Sequence, residues 1–117
     1  MVGASKDRNK YGNKAVRAYL RQGYEVYPVH PREPEVEGLK AYRSVSDIPA
    51  ALDRVTVYLP PEAGLRVVEE IAMKGTRELF INPGAESEEL LEKARSLGLN
   101  PILACSIRDV GLSPEEV

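Results

Sequence analysis

Met1-Val2-Gly3-Ala4-Ser5-Lys6-Asp7-Arg8-Asn9-Lys10-Tyr11-Gly12 opens the chain and decides its fold class. A stub of apolar strand enters a turn of small residues. Lys6, Arg8 and Lys10 follow within five residues, and a helix with the stripe Ala15, Val16, Tyr19 and Leu20 comes next. Strand, small-residue turn and helix start form a phosphate cradle, because free backbone N–H groups and the helix dipole meet there. The glycine spacing is not G-x-G-x-x-G: Gly3 is followed by Ala4 and Ser5, and the next glycine is Gly12. Ser5 offers a hydroxyl. Gly12 serves either close approach of a ligand or simple spacing of the helix start.

Working outward, the hydrophobic period alternates between two and 3.6. A helix spans Gly12 to Gln22 and stops at Gly23. Tyr24–Val29 reads as a strand, and the Pro-rich His30–Pro34 follows. Gly38–Tyr42 reads as a short extended piece, and Ser46–Pro49 as a single helical turn. Val55–Leu59 is a strand ended by Pro60-Pro61, which suits the start of a helix running to Gly75. Glu78–Ile81 is a strand, Glu86–Leu97 a helix, and Pro101–Ala104 the last strand. The tail to Val117 reads as polar and loose. This alternation predicts one α/β domain over residues 1–117, a three-layer Rossmann-like parallel sheet of order 3-2-1-4-5. Its first strand is truncated. That strand is central in such a sheet, so upstream residues or a substitute strand should complete it.

Composition narrows the function classes. The 117 residues are 43% hydrophobic and 29% charged, as in an ordinary globular protein. The net charge of −2 disfavours a nucleic-acid binder, since the cations are local. One cysteine, Cys105, excludes an intrachain disulfide and fits a reducing compartment. No apolar run is long enough for a membrane span and no signal peptide is visible, so the sequence reads as cytoplasmic.

Four loops meet at the carboxyl ends of the strands, where ligands bind in such sheets. The first carries cations, whereas the last leads into Glu86, Glu88 and Glu89, so phosphate belongs at the first. The second strand ends in His30-Pro31-Arg32 where an NAD site would place Asp or Glu. A phosphorylated ribose, as in coenzyme A or NADP, suits these residues better; the bland alternative is a polar surface loop. Leu59-Pro60-Pro61 offers flat apolar surface for adenine or is a plain turn. Asn82-Pro83-Gly84-Ala85 either lines a ligand path or only reverses the chain.

Taken together, Val2-Gly3-Ala4-Ser5, Asn9-Lys10-Tyr11-Gly12-Asn13, Gly23–Val29 with Pro31, Leu59-Pro60-Pro61, Asn82–Glu86 and Ala104-Cys105 carry a family resemblance. The chain resembles the small stand-alone CoA-binding domains, relatives of the CoA-binding domain of the succinyl-CoA synthetase α-subunit. The likeness covers nearly the whole chain, and its specificity lies in the order and spacing of the motifs. It implies coenzyme A held by its nucleotide end. Gly3, Ala4, Ser5 and Lys6 would meet phosphate, with Lys10, Tyr11 and Gly12 at the helix start. Pro31 and Arg32, beside His30, would lie near the ribose phosphate. Pro60, after Leu59, would lie near adenine. Two departures stand out: His30 replaces the family's usual Asn, and the family's full first strand with its preceding helix is reduced to Met1-Val2.

No catalytic constellation is legible, and no metal-ligand set. His30 and Cys105 belong to strands on opposite sides of the first, which argues against a dyad. The related acyl-CoA synthetases use a phosphorylated histidine on a further domain. The reading is therefore a non-catalytic CoA or acyl-CoA binding protein. An NADP-binding or thiol-redox protein using Cys105 is the alternative, as is an interaction domain with a vestigial nucleotide pocket. A homodimer or an unidentified protein partner stays open.

Overall fold

A computed structural model describes residues 1–117. Helix α1 (Tyr11–Arg21) follows the first loop. Strands β1 (Glu35–Val36) and β2 (Leu39–Lys40) form an antiparallel hairpin. Its two-residue turn has positive φ at both Glu37 and Gly38, the backbone shape that matches strand twist. A 3₁₀ turn (Val45–Asp47) follows, capped by Ser44, whose Oγ accepts from Ser46 N. Then come β3 (Leu52–Val57), α2 (Pro61–Lys74), β4 (Thr76–Ile81), α3 (Glu88–Ser96), β5 (Pro101–Leu103) and α4 (Ser106–Asp109).

Parallel pairing joins β3 to β4 and β4 to β5. Single parallel bridges extend this sheet: Val57 to Val2, Val2 to Val29, and Val29 to Tyr42. The order across the sheet is therefore Tyr42, Val29, Val2, β3, β4, β5. The piece ending at Tyr42 takes the third place of the 3-2-1-4-5 pattern, and β3 takes the fourth. Val55, Val57, Leu79 and Ile81 pack with Val68 and Ile71 of α2 and Leu90 and Ala94 of α3. On the other face Ala15 and Ala18 of α1 meet Ile107 and Leu112, so the tail expected to be loose is packed down. The sequence reading missed this because the tail's apolar residues are isolated and show no period.

The shortened first strand is fully engaged over its two residues. Val2 N donates to Thr56 O (2.9 Å) and Tyr58 N to Val2 O (2.9 Å). On the other side Val29 N donates to Met1 O (2.9 Å) and Gly3 N to Val29 O (3.3 Å). No substitute strand from within residues 1–117 continues it. A cleft of about 330 Å³ lies between Glu25–Tyr27 and Leu52–Arg54 instead. Tyr24–Pro28 accordingly lacks a ladder and is not a regular strand.

The Met1 amino group donates to Tyr27 O at 3.1 Å, where a ladder N–H would stand. Burial lowers its pKa from 8.0 to about 5. A chain with a free Met1 amine should thus lose stability as pH falls from about 8 to about 5, because the unfolded chain takes up the proton first. Denaturation midpoints of free and Nα-acetylated protein across this range test it: their difference should narrow at higher pH, and a constant difference would refute it.

Candidate functional site

The first loop is built to leave its amides exposed at one end of the sheet. Gly3 has φ +88°, and a Cβ there would meet Tyr58 O at 2.6 Å. A Cβ on Gly12 would meet Gly3 O at 2.1 Å, so the helix start lies directly on the turn. Gly12 is thus required by close approach of the chain to itself. Ala4, 1% exposed, anchors the turn against Val16, Val36 and Ala41. Asp7 N donates to Ser5 Oγ (3.0 Å), which leaves the Ser5 hydroxyl hydrogen free to donate outward.

Asn13, fully buried, ties these parts together. Its Nδ2 donates to Ser5 O (2.7 Å) and to Glu37 Oε2 (3.0 Å), and its Oδ1 accepts from Arg17 Nε (2.7 Å). Arg17 in turn donates to Arg8 O (2.8 Å). The place of Asn13 as the third residue of α1, ahead of the apolar stripe, was the available signal.

Three of the helices that start near this end of the sheet differ in what they offer an anion. At α1 the first hydrogen bonds back to Lys10 O come from Asn13 N and Lys14 N, so the amides of Tyr11 and Gly12 have no protein acceptor. At α2 the start is Pro60-Pro61 followed by Glu62, and prolines carry no N–H. Before α3, Glu86 folds back so that Gly84 N donates to its Oε2 (2.8 Å), and Ser87 caps the helix. Free amides remain at all three starts, but those of α2 and α3 lie beside Glu62 or among Glu88 and Glu89, whereas those of α1 have Lys10 beside them.

A cleft of about 790 Å³ opens over α1's start. Gly3, Ala4, Ser5, Lys10, Tyr11 and Gly12 line one part of it, and His30, Pro31, Leu59, Pro60, Pro83 and Gly84 also face it. Two expected residues are turned elsewhere. Lys6 Nζ pairs with Glu33 Oε2 at 3.2 Å and borders a separate polar crevice. Arg32 lies in another crevice with Glu33 and Lys40. Arg8 likewise pairs with Glu37 (3.6 Å). In their place the fold brings in Arg43 and Arg66, which the sequence reading did not single out. Both lie in segments with no local phosphate motif, and only the fold carries them here.

The lining has no Asp or Glu, but it has Lys10, Arg43, Arg66 and His30. None of the three cations takes part in an ion pair. His30 Nδ1 accepts from Arg32 N (3.0 Å) and Glu33 N (2.9 Å), which assigns the proton of the neutral ring to Nε2 as a donor. The floor is rigid. Tyr58 Oη and Ser106 Oγ share a hydrogen bond (2.7 Å), and burial pushes the phenol's pKa up. Cys105 is half-buried against the α1–α4 cluster and does not line the cleft. No helix is long and apolar enough to cross a membrane.

Residues 1–109 match the family model of the CoA binding domain. The chain is 34% identical over 113 residues to the α subunit of acetate–CoA ligase (ADP-forming) II of Pyrococcus furiosus. That match takes in 87% of this chain and 25% of the subunit, so the chain spans about a quarter of that relative's length. A conserved hypothetical protein from Pyrococcus furiosus superimposes with a TM-score of 0.85 at 40% identity, covering 92% of this chain and 94% of that one. A dinucleotide-forming acetyl-coenzyme A synthetase of Ca. Korarchaeum cryptofilum, solved with phosphate and ADP, gives a TM-score of 0.75 at 31% identity. Here the coverage is 88% of this chain and 24% of that chain. With a matching model over residues 1–109 and a Rossmann-like α/β sheet, the chain belongs to the CoA-binding domain family.

Proposed function

We propose that this chain binds coenzyme A or an acyl-CoA in the cleft over α1, as a cytoplasmic, non-catalytic binding module. The observation that carries the reading is an acid-free cleft holding three unpaired cations and two free helix-start amides. Such a surface suits a polyanion, and the three phosphates of coenzyme A supply one. The diphosphate sits on the Tyr11 and Gly12 amides with Lys10 beside it, and the Ser5 hydroxyl donates to it. Leu59 and Pro60 give the adenine an apolar wall. The loop at Pro83-Gly84, with its own amide satisfied by Glu86, leaves a neutral path for the pantetheine arm. His30 and Cys105 do not form a nucleophile–base pair on this reading, since Cys105 lies outside the cleft.

Thermal unfolding with coenzyme A, acetyl-CoA, NAD, NADP and ATP tests the reading. Coenzyme A at one hundred times its dissociation constant should add about 2.7 kcal/mol. That should raise the midpoint by roughly ten degrees for a domain of this size. A shift with NADP and none with coenzyme A would replace this reading by the NADP one.

A further inference from the structure

Arg43 and Arg66 come from distant parts of the chain, yet the fold brings both to one rim of the cleft. Arg43 follows Tyr42, whose carbonyl accepts from His30 N at 2.9 Å, so it stands beside the end of the His30 segment. The next residue, Ser44, hydrogen-bonds through its hydroxyl to Glu70 of α2. Arg66 lies one helical turn before Glu70, nearer the cleft, and both arginines line it.

Each guanidinium has been left without a carboxylate. The acids four residues either side of Arg66 are Glu62 and Glu70; neither pairs with it, and Glu70 is engaged by Ser44. Glu69, beside Glu70, pairs with Lys93 at 3.1 Å. Asp47 shares a neighbouring crevice with Arg43 without forming an ion pair. On the first loop, by contrast, Lys6 pairs with Glu33 and Arg8 with Glu37. Two unmatched guanidiniums on one rim, with a histidine donor next to them, are complementary to a dianion.

Their position says which dianion. The free amides of α1 and Lys10 account for the diphosphate. The Arg43–Arg66 rim lies at the end of the second segment of the sheet, where a bound nucleotide places its ribose. We infer that Arg43 and Arg66, with His30 Nε2, grip the phosphomonoester on the ribose and make the site selective for coenzyme A over its 3′-dephospho form. Arg43 thereby does from the third position of the sheet what Arg32 was expected to do from the second. The inference rests on the coenzyme A reading above.

Calorimetric titration of the full chain with coenzyme A and dephospho-CoA, for wild type, Arg43→Gln, Arg66→Gln and the double variant, tests it. Both side chains are exposed, so the variants should fold as wild type does. The wild type should prefer coenzyme A by at least about tenfold. Each single change should weaken coenzyme A by about tenfold and leave dephospho-CoA unchanged. The double variant should bind the two ligands equally. Equal loss of both ligands in the variants would place the arginines on the diphosphate and overturn the inference. Equal wild-type affinity for both would overturn it while leaving the coenzyme A reading intact. Binding of neither by the wild type would overturn both, and preference for NADP over NAD without coenzyme A binding would move the rim to another nucleotide.

Discussion

Gly12→Ala should cost at least about 3 kcal/mol of stability and abolish ligand binding at the first loop. Inside a helix the same change normally gains up to about 1 kcal/mol, because alanine orders more easily. The sign reverses here because the new Cβ would sit 2.1 Å from Gly3 O and 3.0 Å from Gly3 C. The turn cannot retreat, since a Cβ at Gly3 would itself meet Tyr58 O at 2.6 Å, which shows how closely the turn lies on the end of β3. Gly64→Ala is the control. A Cβ there meets only the Leu90 side chain, Cδ2 at 3.1 Å being nearest, and that methyl can give way. Urea denaturation should show a large drop for Gly12→Ala and a small change for Gly64→Ala. Equal midpoints for the two variants would refute the steric account.

Asn82→Ala should cost about 2–4 kcal/mol. Asn82 is 1% exposed and joins three elements just past the end of β4. Its Nδ2 donates to Val57 O (2.9 Å), and its Oδ1 accepts from Ser106 N (2.9 Å) at the start of α4. Truncation orphans the buried Ser106 amide and loosens the Ser106 partner of Tyr58 under the cleft. Asn82→Asp separates geometry from charge. Its carboxylate would still accept from Ser106 N but would face the Val57 carbonyl, which also accepts. The new carboxyl would therefore hold its proton more tightly folded than unfolded. Its penalty should shrink as pH falls, because the protonated form can donate to Val57 O. Chemical denaturation at pH 4 and pH 7, each against wild type, reads this difference. A larger penalty at the lower pH would refute the role assigned to Asn82.

Much of the fold was legible because its signals are local. The stripe of α1, the Pro60-Pro61 stop and Gly75 each act within a turn or two of chain, and the structure has elements at all of them. The β1–β2 hairpin was half seen: Gly38–Tyr42 read as extended, but the partner Glu35–Val36 is two residues long and gives no period. Tyr24–Val29 has the composition of a strand. It is not a regular one, because a strand exists only through its neighbours, and it pairs only by single bridges from Val29 to Val2 and to Tyr42.

Of the candidate site, the sequence by itself determined the α/β alternation, the turn at Gly3–Ala4–Ser5, the helix that follows it, and the end of the sheet at which the loops gather. Periodicity, backbone chirality and the right hand of crossovers suffice for these. Only the tertiary structure decided which charges face the cleft. Lys6 was lost to Glu33, 27 positions on, and Arg32 to a neighbouring crevice, while Arg43 and Arg66 arrived from a sheet edge and a helix flank. A cation is available to a ligand only if the fold leaves it no carboxylate, and that balance depends on distances between residues far apart in the chain.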